Sequence, residues 1–173
     1  MNVWKNRLLY GASAGLILLV YHIILQVAGI SFSGGIMGFL NFAIVTSLYI
    51  IAMAKGIRRY SNDHLEGYVS FNQAFSHGFF IYFIAAFIDK LRDWVNVSFL
   101  GGKQEMIAQM ESTDIMENFY DKFGAESYDA ILSMAEKMYA PIPYLFITIF
   151  NVAISALIIA LIVAAFTKKE RPF

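Results

Sequence analysis

No cysteine occurs anywhere in the 173-residue chain, which removes disulfides, thiolate metal sites and thiol nucleophiles together. Charge is scarce as well. Acidic and basic side chains make up 15% of the residues, and thirteen of each sign cancel to a net charge of zero. No basic footprint for nucleic acid is left. With only three prolines, most of the chain has nothing to interrupt a helix. What fills the space is apolar: 58% hydrophobic residues, 16% aromatics and a mean hydropathy of +0.58. Such a composition lies outside the range of ordinary soluble domains and defines a membrane protein.

Four uncharged apolar runs carry that character: Leu8 to Ile30, Ile36 to Ala54, Phe71 to Ile88 and Tyr144 to Phe166. At about 1.5 Å per residue they reach roughly 27 to 34 Å, enough for a hydrocarbon core of about 30 Å. The fold class expected is therefore all-α: a single polytopic domain over 1–173 with four transmembrane helices. The third run is the shortest, so its helix should continue past Asp89, Lys90 and Arg92 to an interfacial Trp94. The Ala12-Ser13-Ala14 segment loosely resembles a signal cleavage site, but the apolar run continues well beyond it.

Charge sign alternates between the runs. Lys5 and Arg7, then Lys55, Arg58 and Arg59, then Lys168, Lys169 and Arg171 flank them on one side, while Asp89 to Ala140 holds ten of the thirteen acids. Basic short segments stay cytoplasmic. The expected location is a bacterial inner membrane with both termini and a Lys55 to Ser70 loop in the cytoplasm. The Ser31 to Gly35 turn and a helical insertion at about residues 95–140 should lie outside.

Local signals refine the elements. Gly11 and Gly15 stand at GxxxG spacing, a face for close helix contact. It could serve an intramolecular seam or, alternatively, a homo-oligomer through Gly11 and Gly15. Ala153, Ala156, Ala160 and Ala164 form a second small-residue stripe in the last run, and the two stripes could face each other. Ser70 and Gln73 form a capping box ahead of the third run. Pro141-Ile142-Pro143 opens the fourth. In the acidic segment, apolar residues from Ile107 to Phe123 and from Ile131 to Met138 recur at helical steps, predicting two amphipathic helices divided near Gly124.

Candidate sites follow from depth. Counting about 1.5 Å per residue from the basic end, His22, Asn41 and Asn151 lie roughly 20 to 22 Å deep, an intramembrane polar layer. Interhelical hydrogen bonding is the ordinary use of such residues, and a small polar ligand site is the sharper one. His77 lies roughly 12 Å from the His22 level, too far for one metal ion. Met106, Met110, Met116, Met134 and Met138 fall on apolar stripes, where thioethers fill gaps more often than they bind copper. No metal and no cofactor is expected. Asp89 is expected in a solvated interfacial cluster, paired with Arg92. Lys55, Arg58 and Arg59 set topology and are candidate contacts for lipid phosphate. Ile115, Met116, Phe119 and Phe123 are a candidate partner surface.

The segments Lys55-Gly56-Ile57-Arg58-Arg59-Tyr60 and Gly67-Tyr68-Val69-Ser70-Phe71-Asn72-Gln73-Ala74-Phe75, with Gly78, resemble the central signature of a bacterial family labelled domain of unknown function 4199. The likeness extends over nearly the whole chain, with Asn62-Asp63-His64-Leu65-Glu66 standing where a more glycine-rich approach is typical. This resemblance implies a small four-span membrane protein and no assigned activity. It also points to a partner that transfers glycosyl groups on polyprenyl phosphate.

No carboxylate or cation falls inside an apolar run, which speaks against ion-coupled transport. No set of nucleophile, acid and base is recognisable either. The leading reading is a non-enzymatic accessory or interaction subunit of a larger membrane complex. The alternatives are a component acting with polyprenyl-phosphate or lipid head-group glycosyl transfer, and a small-solute transporter. Besides the lipid bilayer, a membrane-protein partner is expected. The orientation is directly testable. In intact cells, cysteines introduced at Asn2 and Asn62 should be shielded from a membrane-impermeant thiol reagent and one at Ser112 should react; labelling at Asn62 would reverse the topology.

Overall fold

Helices form wherever the apolar runs predict them. The computed structural model describes residues 2–30 and 35–169, apart from the side chains of residues 114, 115 and 117. The expected Ser31 to Gly35 turn falls almost entirely outside the described residues. Among the described residues six helices follow in order: α1 Val3–Val27, α2 Gly35–His64, α3 Phe71–Phe99, α4 Gly102–Glu111, α5 Asp114–Met138 and α6 Pro141–Thr167. Four of them, α1, α2, α3 and α6, are long and apolar enough to cross a membrane. Two compact units are present: residues 1–90 with 151–173, and residues 91–150.

Helix ends obey local chemistry. The Asn2 side chain accepts from the Trp4 amide at 3.1 Å and opens α1. At α3 the capping box is complete: the Gln73 amide donates to Ser70 Oγ at 3.4 Å and the Ser70 amide donates to Gln73 Oε1 at 3.0 Å. Pro141 occupies the first position of α6, where its missing N–H costs nothing.

One boundary in the first unit differs from expectation. The segment from Lys55 is not a loop; α2 runs on to His64, since nothing before Leu65 breaks a helix. The true connection is short and turns through left-handed Glu66 and Gly67, at φ 56° and 87°. There the Gly67 amide donates to the Ser61 carbonyl at 3.0 Å and Ser61 Oγ donates to the Tyr68 carbonyl at 3.0 Å. As expected, α3 continues past Ile88, so Asp89 stays within the helix.

In the first unit, α3 is the helix on which others close. A Cβ at Gly11 would lie 2.8 Å from Ile84 Cβ, and one at Gly15 would lie 2.6 Å from the Ala85 carbonyl oxygen. The GxxxG face is thus filled by α3 of the same chain. Of the two uses expected for this face, the intramolecular seam is the one the single chain makes. The stripes on α1 and α6 do not face each other across a shared seam as expected. Gly78 of α3 instead meets Met53, Ile57 and Ala160, and Ala156, Ala160 and Ala164 are fully buried. Leu16, Ile17, Phe42, Ile158 and Phe166 point outward, as the lipid-facing sides of spans must. Along α3, Phe71, Phe75, Phe79, Phe83 and Phe87 follow one another at i,i+4 with ring centroids 6.1 to 6.4 Å apart, stacked except for the tilted Phe75–Phe79 pair.

The second unit holds the C-terminal part of α3, then α4, α5 and the first turns of α6. Trp94 Nε1 donates to the Pro141 carbonyl at 2.9 Å, which ties the start of α6 to α3. Gly102 packs against Asn96 so closely that a Cβ would come within 2.6 Å of Nδ2. The first amphipathic helix does not run unbroken to Gly124. It ends at Glu111, because Ser112 Oγ and Thr113 Oγ1 donate to the Gln109 and Met110 carbonyls at 2.9 and 2.7 Å and compete with helix continuation. The expected break at Gly124 is present as a kink inside α5, with φ 79° and ψ 174°.

Because Ser70 supplies the acceptor for an otherwise unpaired amide, Ser70→Ala should lower stability by about 0.5–2 kcal/mol while Ser70→Asp retains it. Thermal unfolding of the detergent-solubilised protein checks this; equal losses in both variants would mean the cap contributes nothing.

Candidate functional site

The face of α3 that points inward carries Tyr82, Ala85, Ala86 and Asp89, positions three and four apart that share one side of a helix. Asp89 is only 2% exposed. Its Oδ1 lies 2.7 Å from Nδ1 of His22 on α1, and its Oδ2 accepts from the Tyr49 hydroxyl of α2 at 3.1 Å. A carboxylate that receives a donor on each oxygen is held as an acceptor, so His22 presents Nδ1–H to it. The Tyr49 ring packs on Tyr82 at 4.5 Å, and the Tyr82 hydroxyl pairs with Ser155 of α6. Residues from α1, α2, α3 and α6 therefore meet at one polar cluster in an otherwise apolar core.

This arrangement overturns the expected Asp89–Arg92 pair. Arg92 binds its neighbour Asp93 instead, Nη2 to Oδ1 at 2.6 Å, because Asp89 lies on the buried side of α3. The argument against a carboxylate inside a span falls with it. The polar layer is also divided: His22 engages Asp89, Asn41 Oδ1 accepts from the Tyr21 hydroxyl at 3.1 Å, and Asn151 is exposed. A signal for Asp89 was available. The depth count that placed His22 puts Asp89 about 27 Å from the start of α3, roughly one helical turn from the His22 level.

Near the opposite end of α1 a second buried network holds His77, which is fully buried. Arg7 Nε, which can only donate, faces Nδ1 at 3.4 Å, so Nε2–H donates to Asn6 Oδ1 at 2.9 Å. Tyr60 stacks on the imidazole at 4.4 Å. Arg7 also donates to Ser76 Oγ at 3.2 Å and lies over the rings of Trp4 and Phe80 at 5.0 and 4.6 Å. This network has the form of interhelical glue. His22 and His77 belong to different clusters, and among the described residues no group of three or more His, Asp or Glu is placed to hold a metal ion.

The basic residues sort differently from their sequence order. Arg59 pairs with Asp63 at 3.1 Å, one turn on, and Lys55 is exposed. Arg58 instead lines a cleft of about 580 Å³ with Asn62, Lys168 and Lys169. The tail is fixed there by paired backbone bonds: the Val69 amide donates to the Lys169 carbonyl and the Lys169 amide to the Val69 carbonyl, each at 2.9 Å. Lys169 Nζ sits 5.5 Å over the Tyr68 ring. Lys168 and Lys169, read in sequence as topology markers only, are thus brought to Arg58 by a contact spanning about a hundred residues.

In the second unit, Met116 is buried at 6% exposure. Its side chain is already covered, which takes it out of the candidate partner surface. Phe119 is half-buried and stacks on Phe123 at 4.6 Å, while Tyr120 and Phe123 are exposed. The Ile115 side chain lies outside the described residues.

These features define a small all-helical protein with four long apolar spans, a buried carboxylate cluster and a basic cleft. The chain belongs to the family described as a protein of unknown function, DUF4199, which it matches over residues 9–169. No curated protein and no solved structure matches it.

Asn6, 1% exposed, accepts the His77 Nε2 proton at 2.9 Å. Asn6→Ala should therefore cost about 1–3 kcal/mol by leaving a buried donor unpaired, whereas Asn151→Ala should cost nothing measurable. Melting temperatures of the two variants in mild detergent check the contrast.

Proposed function

We propose that the protein is a non-enzymatic accessory component of a larger complex in the bacterial inner membrane, and that it holds a phosphate-bearing lipid head group at its cytoplasmic end. The observation that carries this reading is the cleft between Arg58, Asn62, Lys168 and Lys169. A guanidinium fork, two ammonium groups and an amide are the donor set an oxygen-rich anion requires. Phe166 also lines the cleft and is 86% exposed. An apolar residue beside the cations matches a ligand with a charged head and a hydrocarbon tail, rather than a free ion. Polyprenyl phosphate and ordinary anionic phospholipids share this chemistry.

A second observation supports the partner half of the reading. Tyr120 and Phe123 on the first half of α5, with Met134 and Met138 on the second, are exposed on a helix that also carries six acidic residues. Apolar side chains of that size, outside the apolar runs, favour a protein contact.

Each basic residue near an anionic surface contributes about 1 kcal/mol. Replacing Arg58, Lys168 and Lys169 together by alanine should therefore weaken retention of an anionic lipid roughly 100-fold. Native mass spectrometry of the protein in nanodiscs containing phosphatidic acid measures it, with polyprenyl phosphate as competitor. Equal lipid retention by the parent and the triple variant would refute the head-group site.

A further inference from the structure

The His22–Asp89–Tyr49 cluster is separate from the cleft and unexplained by it. An ionisable group inside a membrane span is expensive and marks a functional position by default. Here the expense is not removed by hydrogen bonds alone. A lone carboxylate with neutral partners leaves the core one negative charge in excess, whereas an imidazolium beside it leaves none.

The geometry specifies where the difference resides. His22 Nδ1 faces Asp89 at 2.7 Å and Tyr49 donates to the other carboxylate oxygen at 3.1 Å. Both bonds persist whether or not the second ring nitrogen carries a proton, since Nδ1–H donates in the imidazolium and in the neutral Nδ1–H tautomer alike. The group that can change is Nε2, on the side of the ring turned away from Asp89. His22 is also the more accessible member, its side chain being 12% exposed against 3% for that of Asp89. The other groups around the pair are Tyr21 on α1, bonded to Asn41, Tyr82 on α3 itself, and Ser155 of α6 through Tyr82. Lys90 follows Asp89 in α3 but is exposed.

We propose that His22 is a binding site for a single proton within the membrane-spanning unit, with Asp89 as its fixed counter-ion and Tyr49 as a positioning residue. The proton is taken from water by the Nε2 lone pair and returned to water, while the Nδ1–H bond to Asp89 is kept. Loading converts the pair from a net charge of −1 to zero without breaking a contact between α1, α2 and α3. The ligand is H⁺; a small monovalent cation such as Na⁺ is the competing occupant.

Nitrogen-15 NMR of histidine-labelled protein in nanodiscs tests this, with the three histidines assigned by the His22→Gln and His64→Gln variants. As pH is changed, the His22 Nε2 signal should move reversibly between its protonated and unprotonated positions while Nδ1 stays protonated throughout. Tyr49→Phe should keep that transition. In Asp89→Asn the strict Nδ1–H tautomer should be lost, a change that a merely space-filling aspartate would not produce. Should Asp89→Asn fail to fold, the parent protein and Tyr49→Phe decide the matter. A His22 Nε2 signal that is invariant with pH, or one that responds to Na⁺ at fixed pH and not to protons, would overturn the proposal.

Discussion

Between helices in a bilayer there is no hydrophobic force, because a lipid tail is as apolar as a leucine. Association must come from backbone approach and dispersion, and in the first unit this requirement falls on α3. Gly11 and Gly15 bring α1 to within contact of Ile84 and Ala85 with no room for a Cβ. Gly78 admits Met53 and Ile57 of α2 with Ala160 of α6. Close approach of this kind fixes the rotation of each helix about its own axis. Once α3 presents Ala85 to α1, the residue four positions on, Asp89, must face inward as well.

That rotation explains why a carboxylate can sit where it does. Asp89 is tolerated because α1 and α2, held near by the small residues, deliver His22 and Tyr49 to its two oxygens. Polar contacts then reinforce what packing established. The same logic governs the other end of the unit, where the backbone approach of α1 to α3 puts Arg7 and Asn6 on opposite nitrogens of His77. Each buried ring nitrogen described there meets a partner, as buried polar groups must in a medium without water.

The basic cleft rests on a different constraint. Neither α2 nor α6 alone creates it; the paired backbone bonds between Val69 and Lys169 do. They pin the tail beside the turn at Gly67, so that cations distant in sequence converge while Arg59 is drawn aside by Asp63. A charge cluster that looks contiguous along the chain is thereby rebuilt from other members.

Sequence by itself determined the features that depend on short range and on composition. Four apolar runs long enough to span, the Ser70–Gln73 cap, the proline start of α6 and the break at Gly124 are each encoded within a few residues, and each is where it was expected. Family membership was legible from the segments around Lys55 and Gly67 for the same reason. Helix rotation and pairing were not legible. They decided that Gly11 and Gly15 meet α3, that Met116 is covered, and that His22, Asn41 and Asn151 part company although their depths agree. Depth along the membrane normal follows from counting residues, but which side of a helix faces inward follows from the sum of its contacts, and only the folded chain supplies that sum.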